Sequence, residues 1–508
     1  MRMDSKSKRI AKNTLFLYMR MLFLMVVTLF TSRVLLDKLG IEDFGIYNVV
    51  GGLAMMFIFF RSSLSNATQR FLNVELGKGN ADGAARVFAQ HFTLYLAISA
   101  AVVVVGETVG LWFVYNKLVI PADRLVAAVW VYQFTLFSLC STLVGIVYDS
   151  TIIAHEDMNV YSYVGIFEGL AKLGIAYAIS ISPFDRLVVY GLLLMLLALS
   201  IQCFYAFYCS RRYAECRIKI LWDRQLLKDT SSIVGWNTVG TAVYAVNDSG
   251  VNILLNLFFG PAVNAARAVS FQVSNAVNGF ASNFFVSVRP QIVKSYAAGD
   301  DEYLMKLFYN SSKFSFFLLW IFCLPLCFAI DPILHLWLKQ VPEYTGIFTV
   351  WIFAYSLVNV LNNPVWAIAL AVGKLKRYIG IGSGVFLLVF PLAYAALKFG
   401  ASPVAVFAIM VAVRLCYLVV VLHIIKAYVN LSFRRYFADV VKPVALVVAV
   451  SLAVSCALHA ALPASLPGTL AFIILTVVMT SLCVYTLGLR ATQRAYLLNI
   501  IKKKINHG

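Results

Sequence analysis

Charge is scarce in this chain. Asp, Glu, Lys and Arg make up 13% of its 508 residues, while 61% are hydrophobic. Soluble domains carry about a quarter charged residues. The composition therefore excludes an ordinary soluble fold, although the length alone would suit roughly three domains. Paired cysteine motifs are missing too. The nine cysteines (140, 203, 209, 216, 323, 327, 416, 456 and 483) fall almost entirely in apolar runs, with no CxxC or Cys/His spacing. That pattern points away from zinc or a dithiol couple and reads as small buried hydrophobes. No GxxxxGK(S/T), no HExxH and no GxGxxG after a strand occurs, so phosphate-loop, zinc-hydrolase and dinucleotide chemistry lack their signatures. The acids in AHEDMN (154–159) read as a charged turn, and no outer loop is long enough to hold a polymerase or ligase site. Transport is expected rather than catalysis, without a cofactor or a metal.

What the chain has is apolar length. Runs of 18 or more apolar residues recur, each able to span a bilayer as a helix. LVVYGLLLMLLALSIQCF (187–204) is apolar on all sides, unlike the alternating strands of a membrane barrel. The run from Thr14 to Leu36 is too long for a signal-peptide core and has no small-residue cleavage site after it, so it is expected to be a retained transmembrane helix. The pattern predicts an all-α polytopic membrane protein of 14 helices, near 13–37, 44–76, 83–115, 123–153, 159–181, 187–210, 230–259, 262–296, 303–331, 345–372, 377–398, 402–429, 439–461 and 466–488. Shifting the sequence by 220 residues lays the turn at Gly40 on that at Gly260, and GKGN (77–80) on AAGD (297–300). A weak repeat of two six-helix halves around a central cavity follows, with 1–212 as one lobe, 213–229 as a linker and 230–430 as the second lobe. The segment 431–508 would add two helices and a basic tail.

Basic residues then suggest sidedness, because cytoplasmic loops retain Lys and Arg. With a cytoplasmic N-terminus, about 27 basic residues fall on that side and about six on the other: Lys38, Lys117, Arg124, Arg186, Lys339 and Lys398. Both termini are expected to be cytoplasmic. The net charge of +19 is then mostly topology and contact with anionic membrane lipids, not nucleic-acid binding.

The informative charges lie inside helices. In FFRSSLSNATQR (59–70), Arg61, Ser62, Ser65, Asn66, Thr68 and Gln69 share one side, while Phe57, Phe60, Leu64, Ala67 and Phe71 form the apolar face. At 1.5 Å per residue Arg61 is expected roughly 25 Å into a 50 Å helix, where facing lipid costs at least a few kcal/mol. Asn237, Thr241, Tyr244, Asp248 and Asn252 line one face of the seventh helix. Arg267, Ser270, Ser274, Asn278 and Ser282 line the eighth, ahead of Arg289 and Pro290, while Asn13, Arg20, Thr28 and Thr31 share a looser face on the first. Guanidinium groups hold phosphate bidentately and keep their charge when desolvated, so Arg61 and Arg267, with Arg20 and Arg289 nearer one mouth, would suit a pyrophosphate. Ser and Asn would suit sugar hydroxyls. Alternatively, each arginine is tied to a carboxylate, for which Asp248 is a candidate, and snorkelling accounts equally for Arg20, Arg33 and Arg289. Asp248 could also serve as an ion-coupling site.

The stretches LGIEDFGIYNVVGG (39–52), SSLSNATQRFLNVELGKGN (62–80), GVNILLNLFFGPAVNAARAVSFQVSNAVNGFASNF (250–284) and RPQIVKSYAAGD (289–300) resemble the Wzx-type polysaccharide flippases. These belong to the multidrug/oligosaccharidyl-lipid/polysaccharide (MOP) exporter superfamily, with MATE drug exporters and the lipid II flippase MurJ. The resemblance implies two bundles around a cavity in a bacterial cytoplasmic membrane, working by alternating access. It implies an undecaprenyl-pyrophosphate oligosaccharide, an O-antigen or capsule repeat unit, as substrate, and other polysaccharide-assembly proteins as partners. Arg20 or Arg33, Arg61 and Arg267 match by position the cavity arginines of MurJ-like members, and 439–488 would form a lipid groove. Asp248 departs from the uncharged residue expected there. A MATE-like cation-coupled drug exporter and a lipid II flippase are the alternatives; against the exporter, the inferred cavity is basic, whereas cationic drugs favour acids and aromatics.

Overall fold

The structure is a computed structural model that describes the backbone of residues 5–55, 59–155, 157–372, 375–463, 465–491 and 493–494. Within these spans, the side chains of 5–22, 53–55, 59–60, 62–63, 66, 77, 158–159, 161–162, 225, 228–241, 280, 282–283, 286–287, 289–290, 293–294, 297 and 375–376 lie outside the described set. The chain is an all-α polytopic membrane protein. Its helices are α1 Ser5–Met55, α2 Phe59–Gly77, α3 Ala81–Val105, α4 Leu111–Asn116, α5 Leu125–Ala154, α6 Met158–Ala178, α7 Arg186–Arg212, α8 Arg224–Phe259 and α9 Pro261–Ala297. They continue as α10 Asp301–Trp337, α11 Thr345–Val360, α12 Asn362–Val372, α13 Leu375–Leu387, α14 Val389–Lys398, α15 Val404–Lys426, α16 Phe433–Tyr436, α17 Lys442–Ala461 and α18 Leu466–Cys483. Among the described residues nine spans are long and apolar enough to cross a membrane; α2, α8 and α9, which carry the polar stripes, are not among them.

Helix breaks follow local chemistry. α1 is two helices, broken at Gly40 with φ 81° and ψ 172°, a conformation that favours glycine because it lacks a Cβ. Gly260 repeats this 220 residues on with φ 79°. The next turns match bond for bond. Gly79 (φ 68°) donates to the Leu76 carbonyl and Asn80 N to that of Glu75; Gly299 (φ 69°) donates to Tyr296 and Asp300 N to Ser295. Both are helix C-caps with a six-to-one bond. Asn80 Oδ1 and Asp300 Oδ1 then each accept from the backbone three residues on, starting the following helix. The matching positions 220 residues apart thus share turn geometry.

Two predicted helices, 345–372 and 377–398, are each split. α11 ends at Val360, four residues before Pro364, and α13 ends at Leu387, four before Pro391. Proline supplies no N–H to that carbonyl and its ring crowds it, so the ladder stops there. Beyond α3, the chain makes a π-helical turn over Gly106–Gly110. Tyr132 Oη donates to the Gly106 carbonyl at 2.8 Å, and a Cβ on Gly110 would lie 2.0 Å from that hydroxyl.

The chain forms two compact units. The first comprises Met1–Val269, Leu338–Glu343 and Ala393–Leu397; the second Ser270–Trp337, Tyr344–Leu392 and Lys398–Gly508. Ile46, Phe88, Tyr95, Leu143, Ile146 and Ile152 are fully buried in the first, and Leu319, Cys323, Leu324, Phe353 and Val447 fill the core of the second. The segment 213–229, expected as a linker, belongs to the first unit, where its described part is stitched to α3 and α5. Glu215 meets His155 Nε2 at 2.5 Å, Leu221 N donates to Thr93 Oγ1 at 3.0 Å, and Asp223 N to Gln90 Oε1 at 2.5 Å.

α8 and the start of α9, up to Val269, are tied into the same unit through asparagines. Asn264 Nδ2 donates to the carbonyl and side-chain oxygens of Asn252, and Asn252 Nδ2 to the Asn48 carbonyl at 3.1 Å. Asn256 accepts from Val119 N at 2.8 Å and donates to Val119 O at 3.2 Å. The Asn252 and Asn256 side chains are thus each bonded to a neighbouring segment, as buried amides usually are.

Candidate functional site

α2 presents its polar side chains to two different settings. Leu64, Ala67 and Thr68 are buried, with Thr68 Oγ1 donating to the Leu64 carbonyl and Tyr95 of α3 bonding both that carbonyl and the Thr68 hydroxyl. Ser65 Oγ meets Ser150 Oγ of α5 at 3.0 Å and accepts from Gln69 Nε2 at 2.9 Å. One turn earlier, Arg61 Nη2 donates to Asp149 Oδ2 at 2.9 Å. The two ends of this ion pair differ sharply: the Arg61 side chain is 42% exposed, that of Asp149 only 6%. A guanidinium reachable from outside the bundle is anchored to an acid that is not.

The second cation sits otherwise. Arg267 of α9 is 8% exposed and its Nη2 donates to both the carboxylate and the backbone carbonyl of Asp248, whose side chain is 55% exposed. Here the cation is buried and the acid open. Distance along the helices separates the two arginines further. Arg61 lies 21 residues past the Gly40 turn in sequence, whereas Arg267 lies seven past the Gly260 turn, roughly 10 Å along α9. The two ion pairs share no residue.

Three further stripe residues on α9 are engaged with α11. Ser270 Oγ donates to the Thr345 carbonyl at 2.9 Å and Ser274 Oγ meets Ser356 Oγ at 3.1 Å. Asn278 Nδ2 donates to Ser274 O, Ser274 Oγ and Ser356 Oγ at 3.0, 3.0 and 2.9 Å. Asn278 is therefore part of a polar seam between α9 and α11. Arg33 is half-buried on α1 with no ion pair or hydrogen bond to a described side chain. The side chains of Arg20, Asn66, Asn237 and Arg289 lie outside the described residues.

Asp149 escaped the sequence reading. The signal was present as a single acid in VGIVYDSTIIA, an otherwise apolar stretch near the end of α5. What the sequence lacked was its partner, 88 positions away. Asp248, read from the sequence as either an arginine's partner or an ion-coupling site, is paired with Arg267.

No family model matches the sequence, and no curated protein does. Solved structures do match in shape. A lipid II flippase MurJ in an inward closed conformation aligns over 93% of this chain and 99% of its own, at 13% identity and a TM-score of 0.69. An inward-facing MATE-family multidrug resistance transporter of the MOP superfamily aligns over 80% and 94%, at 12% identity and 0.67. A MOP superfamily transporter from Pyrococcus furiosus, described by the reverse polarity of its binding pocket, aligns over 80% and 95%, at 12% identity and 0.54. The chain has the fold of these MOP-superfamily transporters.

Proposed function

We propose that this protein is a flippase for a lipid-linked oligosaccharide. It moves an undecaprenyl-pyrophosphate-linked O-antigen or capsule repeat unit from the cytoplasmic to the periplasmic leaflet of a bacterial inner membrane by alternating access. The observation that carries the reading is Arg61. It is a half-exposed guanidinium on a helix inside an apolar bundle, and such charges are costly in a membrane unless they serve a passing ion or substrate. Its planar fork suits a pyrophosphate, and the Ser65–Gln69 hydroxyl and amide beside it suit sugar oxygens. Arg267, buried against Asp248, is the less accessible of the two and holds the α8–α9 hairpin together.

The alignment lengths favour a flippase over a drug exporter. MurJ covers roughly 65 more residues of this chain than the MATE structures do, about one long helical hairpin. The hairpin α17–α18 is of that size, and in this reading it holds the polyprenyl tail while the headgroup crosses.

The test uses a host strain lacking this gene. Lipid-linked oligosaccharide is assayed on each face of the inner membrane, after rescue with wild type, Arg61→Ala or Arg267→Ala at matched expression. Accumulation on the cytoplasmic face, relieved by wild type and not by Arg61→Ala, is the expected result. Full rescue by Arg61→Ala would remove the proposed docking site. No accumulation, with altered drug efflux instead, would move the protein to the exporter branch.

A further inference from the structure

Asp149 is a buried acid whose charge rests, among the described residues, on one cation. Oδ2 accepts from Arg61, and Oδ1 makes no hydrogen bond to any described residue. The other ionisable groups around it do not substitute for Arg61. Glu168 of α6 repels its charge and is itself paired with Lys172 at 2.6 Å on its own helix. Cys209 of α7 donates its thiol to the Tyr148 carbonyl. On α3, Tyr95 is bound to Thr68 and the Leu64 carbonyl and the His91 ring to the Val87 carbonyl. On α1, Tyr47 packs edge-on against Tyr190. The neighbouring hydroxyl of Ser150 is directed at Ser65, both its hydroxyl and its carbonyl.

We infer that docking of an anionic headgroup on Arg61 is linked to protonation of Asp149. The inference rests on the reading of Arg61 as the docking cation and adds to it a coupled proton. When a phosphate oxygen takes the Arg61 guanidinium, the Arg61–Asp149 bond breaks. Arg61 keeps its charge, because guanidinium does not lose its proton in proteins. Asp149 is left as a carboxylate in an apolar bundle without a counter-ion, a state that such groups avoid by neutralising. It takes one proton from water reaching the exposed side of Arg61 and becomes a neutral carboxylic acid. When the headgroup leaves, Arg61 returns to Oδ2 and that proton is released. One proton is thus bound with each headgroup and lost with it, and the loaded site carries one negative charge fewer than the headgroup brings.

The Arg267 pair has no such requirement. Asp248 is 55% exposed, so water can hold its charge if Arg267 is drawn away. Linkage is therefore expected at one arginine and not at the other.

The experiment uses the full chain in lipid nanodiscs, with farnesyl pyrophosphate as the probe. Calorimetric titration near neutral pH in two buffers of different ionisation enthalpy counts the protons taken up on binding, and titrations between about pH 5.5 and 8 give the dependence of affinity on pH. Phosphate groups of the probe titrate near pH 6 on their own, equally for every variant, so the comparison is between proteins. Wild type is expected to take up close to one proton more than Asp149→Asn. Its affinity should also rise with falling pH by up to tenfold per unit beyond that of the variant. Asp149→Asn should bind more tightly than wild type at pH 8, because Arg61 is no longer held by a carboxylate. Equal proton counts in the two proteins, with binding lost in Arg61→Ala, would overturn the coupling and leave the docking site standing. Equal binding by wild type and Arg61→Ala would overturn the docking site and the coupling together. The wild-type measurement alone also decides: a pH dependence no steeper than the probe's own titration refutes the linkage without any variant.

Discussion

Arg124 offers the sharpest test of how the first unit is held together. It occupies the N-cap position of α5, yet its side chain caps nothing there. Instead, Nε and Nη2 reach Asp43 at 2.8 and 2.6 Å, while Nη1 and Nη2 reach Asp185 at 2.5 and 3.3 Å. Asp185 in turn caps α7, accepting from the amides of Leu187 and Val188. One guanidinium therefore ties the second half of α1 to the starts of α5 and α7. Removing one member of a fully buried ion pair costs about 3–5 kcal/mol. Here the three side chains are 22%, 17% and 34% exposed, and water screens part of the loss. Two carboxylates left facing each other add repulsion, so Arg124→Ala should destabilise the unit by about 2–3 kcal/mol. At about 2–4 °C per kcal/mol for a unit of this size, the midpoint should fall by roughly 5–10 °C. Thermal unfolding of the detergent-purified protein, followed by tryptophan fluorescence, reads this directly. Replacing Asp43 and Asp185 with Asn in the same variant should return part of the loss. A midpoint within a degree of wild type, or no recovery on neutralisation, would refute the reasoning. The same clamp predicts acid sensitivity. Burial opposes ionisation of Asp185, but Arg124 and the two α7 amides outweigh it and hold its carboxyl below the ordinary value of 3.8. Asp185 thus contributes stability that is full above that value and lost as pH falls through its lower folded-state value. Asp43, more deeply placed, is pushed the other way by desolvation, so the acid loss belongs to Asp185 and should be shallower in Arg124→Ala.

Two further outcomes follow from close packing in the same unit. A Cβ on Gly45 would lie 2.0 Å from the Pro261 carbonyl oxygen, whereas one on Gly51 meets nothing within 4 Å. Gly45→Ala should therefore sharply reduce folded yield on size-exclusion chromatography while Gly51→Ala elutes like wild type. Asn256→Ala leaves both backbone groups of Val119 without their partner, a loss of about 2–4 kcal/mol that should appear as a lower unfolding midpoint; Asn256→Asp, which keeps only the acceptor, should fall between the two.

The fold was legible because each helix announces itself independently of its neighbours. Apolar runs give the spans, and glycine fixes the turns at 40, 79, 260 and 299. What did not show was where proline acts within a uniformly apolar run: Pro364 and Pro391 end the ladder four residues upstream, and nothing in the hydropathy of 345–372 or 377–398 marks those places. The polar stripes were legible as faces but not as pairs. Ser270, Ser274 and Asn278 lie on one face as their spacing requires, yet only the position of α11 reveals that Thr345 and Ser356 meet them. Arg61 was legible as an anomaly. Asp149, equally isolated in its own helix, became its partner through packing between α2 and α5, which no local pattern encodes.

The stitching of 213–223 has a consequence for how the chain is made. Its partners on the earlier helices and loops, Gln90, Thr93, His155 and Asp157, all precede it in the sequence. A nascent chain that has reached Asp223 thus already holds the partners needed to close its first helices into a bundle, before any residue of α10 exists. Domains fold as units from the N-terminal side during synthesis. The bonds of this strap to α3 and α5 need no residue of α8, whereas the Asn252 and Asn256 contacts wait for it.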